Sequence, residues 1–226
     1  MIALKKNQTW EIVDLPKGKM PNHKWIFTVK YKSYGSLERY KVRLVTKGYT
    51  QTYDIDYHKT FAPMTKMNTV KILLSLAAIK AWSLNQFDLK NAFLHRDLED
   101  EVYMGIPLGY EETWQKNQVG RLKKSLYGLK QSPLAWFERF TKSMLDRGYS
   151  QSQGNHTLFI KLSSIEKVTG LIVYVDDIIV IGDDHEGILE LKVYLEKKIE
   201  IKDLESVKYF LGIEVARSQH RIFISQ

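Results

Sequence analysis

The sequence predicts an α+β fold of antiparallel strand pairs with helices between them. Strand-type alternation recurs at 25–45, 171–182 and 209–225, each time with a candidate turn inside it. Helical periodicity occupies 68–80, 132–148 and 184–199. No period of twenty to fifty residues recurs, and glycine and proline are scarce, which excludes solenoids and low-complexity chains.

Residues 25–31 alternate and are rich in aromatic and β-branched side chains, Ser33-Tyr34-Gly35-Ser36 is turn-like, and 39–45 reads as the return strand. The result is a basic β-hairpin. Asn68 is placed to cap a helix reaching Lys80, apolar on most faces and therefore expected to be buried. Residues 82–89 form a short strand that ends at Asp88. Ser132-Pro133 signals a helix start, with serine as cap and proline at the first helical position. Trp136, Phe137, Phe140, Met144 and Leu145 follow at helical spacing, and Gly148 closes the helix. Residues 171–182 read as a hairpin with acid at its tip. Ile188, Leu191, Leu195 and Ile199 form one stripe of a helix over 184–199, and 209–215 with 221–225 read as a final hairpin. Without a Pro/Gly/Ser linker, two packed lobes are expected rather than two independent domains.

An apolar fraction of 44% and a charged fraction of 27% suit a soluble globular protein with a real core. The chain has no cysteine, so disulfide scaffolds and thiolate zinc sites are excluded. Met1-Ile2-Ala3-Leu4-Lys5 does not open a signal peptide, and the most apolar stretches are too short or too acidic to span a bilayer. Net charge is +8, but its distribution says more: residues 1–80 carry a balance of +10, the remainder −2. A basic first third interleaved with Trp25, Phe27, Tyr31, Tyr34 and Tyr40 points to a polyanion partner over a merely solvated face.

The chemistry concentrates in two segments. In 171–181, nine apolar residues flank the adjacent carboxylates Asp176 and Asp177. Such a run is a buried strand pair, and two ionised groups within it are costly unless they reach a tip where a cation can neutralise them. A turn at Asp176-Asp177 would put both there. An acidic surface turn is the plainer alternative, and on Asp-Asp alone it would win. Asp88, at the end of a second apolar strand, could simply cap the next element. Together the segments supply three carboxylates from two strands. That set suits magnesium, which takes oxygen ligands and substrate phosphates, and a pair of ions about 3.5–4 Å apart can activate a hydroxyl and stabilise a leaving oxygen. None of the six histidines pairs at zinc-ligand spacing.

These segments resemble motifs A and C of reverse transcriptases, and the whole chain resembles the copia-type LTR retrotransposon family. The likeness runs in order through Asn7-Gln8-Thr9-Trp10-Glu11, Tyr40-Lys41-Val42-Arg43-Leu44-Val45-Thr46-Lys47-Gly48, Thr60-Phe61-Ala62-Pro63, Ala92-Phe93-Leu94 and Val102-Tyr103-Met104. It continues through Leu126-Tyr127-Gly128-Leu129-Lys130-Gln131-Ser132-Pro133, Tyr174-Val175-Asp176-Asp177 and Tyr209-Phe210-Leu211-Gly212. The resemblance implies a right-hand polymerase with fingers and palm, the antiparallel palm sheet carrying helices on one face. Residues 1–80 would form a basic fingers-like lobe and 81–226 the palm, with 105–150 partly returning to the fingers. Neither a complete thumb nor a ribonuclease H domain is expected in this span.

By the same resemblance, Asp88, Asp176 and Asp177 are catalytic and hold two magnesium ions, with manganese as an alternative and the Leu89 carbonyl as an extra ligand. Lys41, Arg43 and Lys47 clamp the incoming triphosphate. Phe93 is the gate that rejects a ribose 2′-hydroxyl. Tyr127, Gly128 and Gln131 line the nucleotide and template side, and Tyr209, Phe210, Leu211 and Gly212 grip the primer end. The partners implied are dNTPs, an RNA or DNA template with its primer, and other segments of a retrotransposon polyprotein, with no membrane. The compartment implied is intracellular, in cytoplasmic particles or the nucleus, without secretion.

The chain departs from the family pattern at Arg96, Glu205 and Asp54, where glycine is usual, and at Leu134, where a basic residue is usual. Two of these positions call for glycine geometry. Such drift keeps an alternative open, a truncated non-catalytic remnant that only binds nucleic acid. An ordinary acidic-site phosphatase or nuclease is a third class, which would show no template requirement.

Overall fold

The structure, a computed structural model, describes residues 8–19, 21, 23–31, 34–46, 51–52, 54, 60–89, 98, 101–106, 114–115, 117–218 and 221–225. In chain order these form β1 (Trp10–Asp14), β2 (His23–Tyr31), β3 (Leu37–Thr46), α1 (Met67–Ile79), β4 (Ser83–Leu89), β5 (Tyr103–Met104) and β6 (Gln118–Leu122). Then come α2 (Ser132–Leu145), β7 (Ser150–Gln151), β8 (Leu158–Leu162), β9 (Val168–Tyr174), β10 (Asp177–Gly182) and α3 (His185–Ile199). The last are β11 (Ile201–Ser206), β12 (Tyr209–Phe210), β13 (Ile213–Arg217) and β14 (Ile222–Ser225).

Backbone proximity divides the chain into two units, Met1–Phe61 with Phe93–Trp136, and Ala62–Ala92 with Phe137–Gln226. The cut differs from one placed at residue 80, because α1 packs into the second unit. In the first unit β1, β6 and β5 make an antiparallel sheet in that order. β2 and β3 form the basic hairpin, with Trp25 opposite Leu44 and Phe27 opposite Val42. Side chains alternate faces along a strand. Trp25 and Leu44 therefore reach inward to a core with Met104, Leu122, Leu126 and Leu129, while Phe27, Val42 and Tyr40, farther out on that face, are exposed.

The second unit is built on a six-stranded antiparallel sheet, in the order β11-β4-β10-β9-β8-β7. Val70, Leu73, Leu74 and Ala77 of α1 bury one helical stripe against Leu84, Leu158, Ile172, Ile179 and Ile181. Burial of α1 on most faces is not what forms, since Ile72, Leu76 and Ile79 are exposed. Asn68 does not cap the helix either. Lys66 occupies the cap position in extended conformation, without a side-chain cap bond. The preceding Thr65 hydroxyl donates to the Val173 carbonyl at 2.6 Å, so tertiary bonding to the sheet sets where the helix begins.

Next to inward-facing Leu158, Phe159 points to the opposite sheet face, where its ring meets Phe137 and Phe140 of α2 at 6.3 and 5.7 Å. Helices therefore cover both faces of the sheet rather than one. α2 starts one residue before the expected site, because the Ala135 N–H donates to the Gln131 carbonyl, and the Ser132 hydroxyl donates to the Leu126 carbonyl. α3 begins as its sequence indicates: the Asp184 carboxylate accepts from the Gly187 N–H at 3.1 Å, and Ile188, Leu191, Leu195 and Ile199 are buried. Residues 209–215 are not one strand. A turn at Leu211 and Gly212, with φ of +52° and +78°, splits them into β12 and β13, and β14 completes a three-stranded sheet.

Two departures from the family pattern fall where the backbone is left-handed: φ is +64° at Asp54 and +65° at Glu205. Glu205 lies in the β11 irregularity between Asp203 and Ser206. Arg96 is outside the described residues, and Leu134 is an ordinary residue of α2.

Candidate active site

The hairpin β9–β10 turns through two residues, Val175 and Asp176, because Tyr174 and Asp177 are its last paired positions. The turn is thus one residue earlier than Asp-Asp chemistry suggests. Asp176 occupies the tip, while Asp177 is the first residue of β10. Val175 takes a φ of +54°, an outlier for a β-branched residue, held by ladders on both sides. β10 also pairs with β4, and its register sets Asp177 directly opposite Asp88. The Leu89 N–H donates to the Asp176 carbonyl at 2.6 Å, tying the end of β4 to the tip. Two ladders therefore bring all three aspartates to the same end of the sheet, each half-buried. Ile178, Ile179 and Val173 behind them are buried.

Burial pushes the Asp177 carboxyl above the usual range, and the Asp176 and Asp88 charges push the same way against a hydrogen bond from Gln86. Both neighbouring carboxylates thus act on Asp177. Their donor chemistry fits a hard divalent cation, whose charge would offset both burial and mutual repulsion. Among the described residues, however, no three His, Asp or Glu side chains lie close enough to chelate one ion by themselves. An ion held there would take further oxygens from a bound substrate, as is ordinary for magnesium. β11 adds Lys202 opposite Asp88 on the other side of β4.

Gln86 escaped the sequence reading. It is buried on β4, two residues before Asp88 and on the same strand face. Its Nε2 donates to Asp177 Oδ1 at 3.2 Å and to the Tyr209 carbonyl at 3.1 Å. The available signal was a polar residue at an inward position of β4, between Leu84 and Asp88 on the same strand face. Nearby, Tyr209 is exposed, and Phe210 is buried with its ring edge-on to Tyr174 at 6.4 Å. Leu211 and Gly212 form the turn that follows.

Within the first unit, Arg43 and Tyr127 come together, with the guanidinium carbon 5.5 Å from the ring centroid. The Thr46 N–H donates to the Tyr127 carbonyl at 2.9 Å. Gly128 has a φ of +96°, and a Cβ there would stand 2.1 Å from the Thr46 carbonyl oxygen, so only glycine allows this approach. Gln131 is buried and accepts from Gln51 Nε2 at 2.9 Å, which gives it a structural contact as well. Lys41 lies in β3, but its side chain is outside the described residues, as are Lys47 and Phe93.

An antiparallel sheet with paired aspartates at its end, backed by helices, is of the fold class seen in a solved reverse transcriptase. The chain's fold matches over 98% of its length a solved foamy viral protease–reverse transcriptase in complex with double-stranded DNA, with a TM-score of 0.53, 15% identity and 33% of that chain covered. A family model described as reverse transcriptase (RNA-dependent DNA polymerase) matches residues 7–226, and the chain belongs to that family. Within it, the chain is of the copia retrotransposon type. It is 40% identical over 229 residues to the retrovirus-related Pol polyprotein from transposon TNT 1-94 of Nicotiana tabacum, covering 100% of this chain and 17% of the relative. It is 40% identical over 226 residues to that from transposon RE1 of Arabidopsis thaliana, covering 97% and 15%. The chain thus spans well under a fifth of these polyproteins. Among the described residues no helix is long and apolar enough to cross a membrane.

Proposed function

We propose that this chain is the RNA-directed DNA polymerase core of a copia-type polyprotein, joining a dNTP to a primer 3′-hydroxyl on an RNA or DNA template. The observation that carries this reading is the direct pairing of Asp88 with Asp177 beside Asp176 at a hairpin tip. Asp88, Asp176 and Asp177 are the groups that would hold two divalent ions, magnesium or manganese, with the Leu89 carbonyl as a further oxygen. Bound there, the ions would supply charge neutralisation at the reacting phosphate.

The other roles belong to this chain's own side chains. Arg43, with Lys41 and Lys47, binds the triphosphate, and the Tyr127 ring under the guanidinium limits where Arg43 can aim. Phe93 excludes a 2′-hydroxyl. Tyr127, Gly128 and Gln131 border the nucleotide and template, and Tyr209, Phe210, Leu211 and Gly212 hold the primer end. The first unit, residues 1–61 with 93–136, acts as fingers, and the second, residues 62–92 with 137–226, acts as palm. Base pairing reads the sequence, so the protein needs backbone contacts, consistent with its +8 charge. Other polyprotein segments are the natural protein partners.

Primer extension on an RNA template with dNTPs and magnesium tests this reading, beside an Asp176→Asn control. Extension by the wild type alone supports it. A folded chain that binds duplex without extending would favour the non-catalytic remnant, and incorporation independent of template would favour a different acidic-site enzyme.

A further inference from the structure

Among the described residues of the site, Gln86 is a buried polar side chain, 5% exposed, to which the proposed chemistry gives no role. Its single amide nitrogen has two hydrogens and faces two acceptors, Asp177 Oδ1 at 3.2 Å and the Tyr209 carbonyl at 3.1 Å. The network fixes the amide's orientation, because the carbonyl end would repel both. Glutamine reaches both acceptors from β4, the strand that carries Asp88 two residues on. One amide therefore joins three separate pieces: the strand of Asp88, the first residue of β10, and the β12–β13 segment.

We infer that Gln86 is a positioning residue that sets the Tyr209–Gly212 segment in register with the aspartate pair. The inference rests on the polymerase reading above, which assigns the Asp177 carboxylate to the catalytic centre and the Tyr209 segment to the primer end. Tyr209 has a largely exposed ring, and its backbone sits in a two-residue strand. Phe210 secures that strand from the core side. The bond from Gln86 secures it from the carboxylate side, so that primer end and aspartates move as one body. Fixed geometry of this kind acts on the rate of the chemical step more than on nucleotide binding.

Two variants separate this role from ordinary packing. Gln86→Leu keeps the volume and removes both donors, and Gln86→Glu keeps the shape and presents oxygens to both acceptors. Two measurements use the whole chain: single-turnover extension of a primed RNA template against dNTP concentration, and backbone hydrogen exchange without nucleic acid. Both variants are expected to lose about ten- to a hundredfold in maximal rate, the scale of one hydrogen bond to a charged group, while half-saturating dNTP moves less than about threefold. Exchange is expected to quicken at 209–213 and 176–178, with 158–173 unchanged.

Wild-type rates in both variants would overturn the inference. So would loss of folding in both, which would make Gln86 a core residue and nothing more. Should the wild type itself fail to extend primers, the polymerase reading falls, and the exchange measurement still decides the coupling: selective quickening sustains it, and unchanged exchange at 209–213 overturns it.

Discussion

Asp88 and Asp177 are direct partners in the β4–β10 ladder, with Asp176 on the adjoining tip. Like charges this close disfavour the ionised pair, and Asp177 shows it in its raised pKa, whose first cause is burial. A fold that keeps such an arrangement gains no stability from it. Asp176→Asn and Asp177→Asn should therefore leave the metal-free protein folded with an equal or higher melting temperature. Each should reduce primer extension below about 1% of wild type, the scale of losing one preorganised electrostatic group. Circular dichroism melts and extension assays check both halves, and unfolding by either change would mark the tip as structural.

Strain offers a second comparison. Val175 and Glu205 both hold positive φ, +54° and +65°, but only Val175 lies in the hairpin that carries Asp176 and Asp177. Val175→Gly and Glu205→Gly should each stabilise the chain by about 1 kcal/mol by removing a strained backbone. Glu205→Gly should leave the extension rate unchanged. Val175→Gly should slow it, because a looser turn no longer fixes Asp176. Denaturant midpoints beside extension rates separate the two, and equal rates in both variants would remove Val175 from the positioning of Asp176.

These residues also show what the sequence could convey. The 171–182 hairpin was legible because Val and Ile runs around two carboxylates admit few other structures. Its turn was misplaced by one residue because propensity opposes valine at positive φ, and the paired ladders override propensity. Asn68 looked like a cap, yet Thr65 bonding to the sheet fixed the start of α1. The two-residue strands β5 and β7 are too short to carry a period, and β11 is interrupted by its irregularity. Gln86 was missed because its partners, Asp177 and Tyr209, lie 91 and 123 residues away, beyond the reach of any local pattern.

Phe93→Ala tests the sugar gate that the family resemblance assigns. Removing a ring that blocks the 2′-position should raise ribonucleotide incorporation relative to dNTP by about tenfold or more, with dNTP use reduced less. Competing incorporation of a ribonucleotide and its deoxy counterpart measures it. Unchanged sugar selectivity would return Phe93 to the role of a core aromatic.

Tyr149 gives a prediction in pH. Burial pushes its phenol up to about 12, against an ordinary value near 10. A raised folded-state pKa means that the folded chain holds the proton more tightly than the unfolded one. The associated stability is complete below pH 10 and is lost as pH rises toward 12. Tyr149→Phe should remove this component and flatten the alkaline fall in stability between those limits.

Gly128 joins geometry to binding within the first unit. Its φ of +96° excludes ordinary side chains, and a Cβ would stand 2.1 Å from the Thr46 carbonyl oxygen and 2.5 Å from Val45 Cγ1. Gly128→Ala must break the Thr46–Tyr127 bond or shift the end of β3, at about 2–4 kcal/mol. β3 carries Arg43, and Tyr127 lies under its guanidinium, so the same shift should misplace the triphosphate contact proposed for Arg43. The variant should therefore raise half-saturating dNTP more than it lowers maximal rate, the reverse of the pattern for Gln86→Leu. A loss confined to maximal rate would separate Gly128 from nucleotide binding and leave it a requirement of the fold alone.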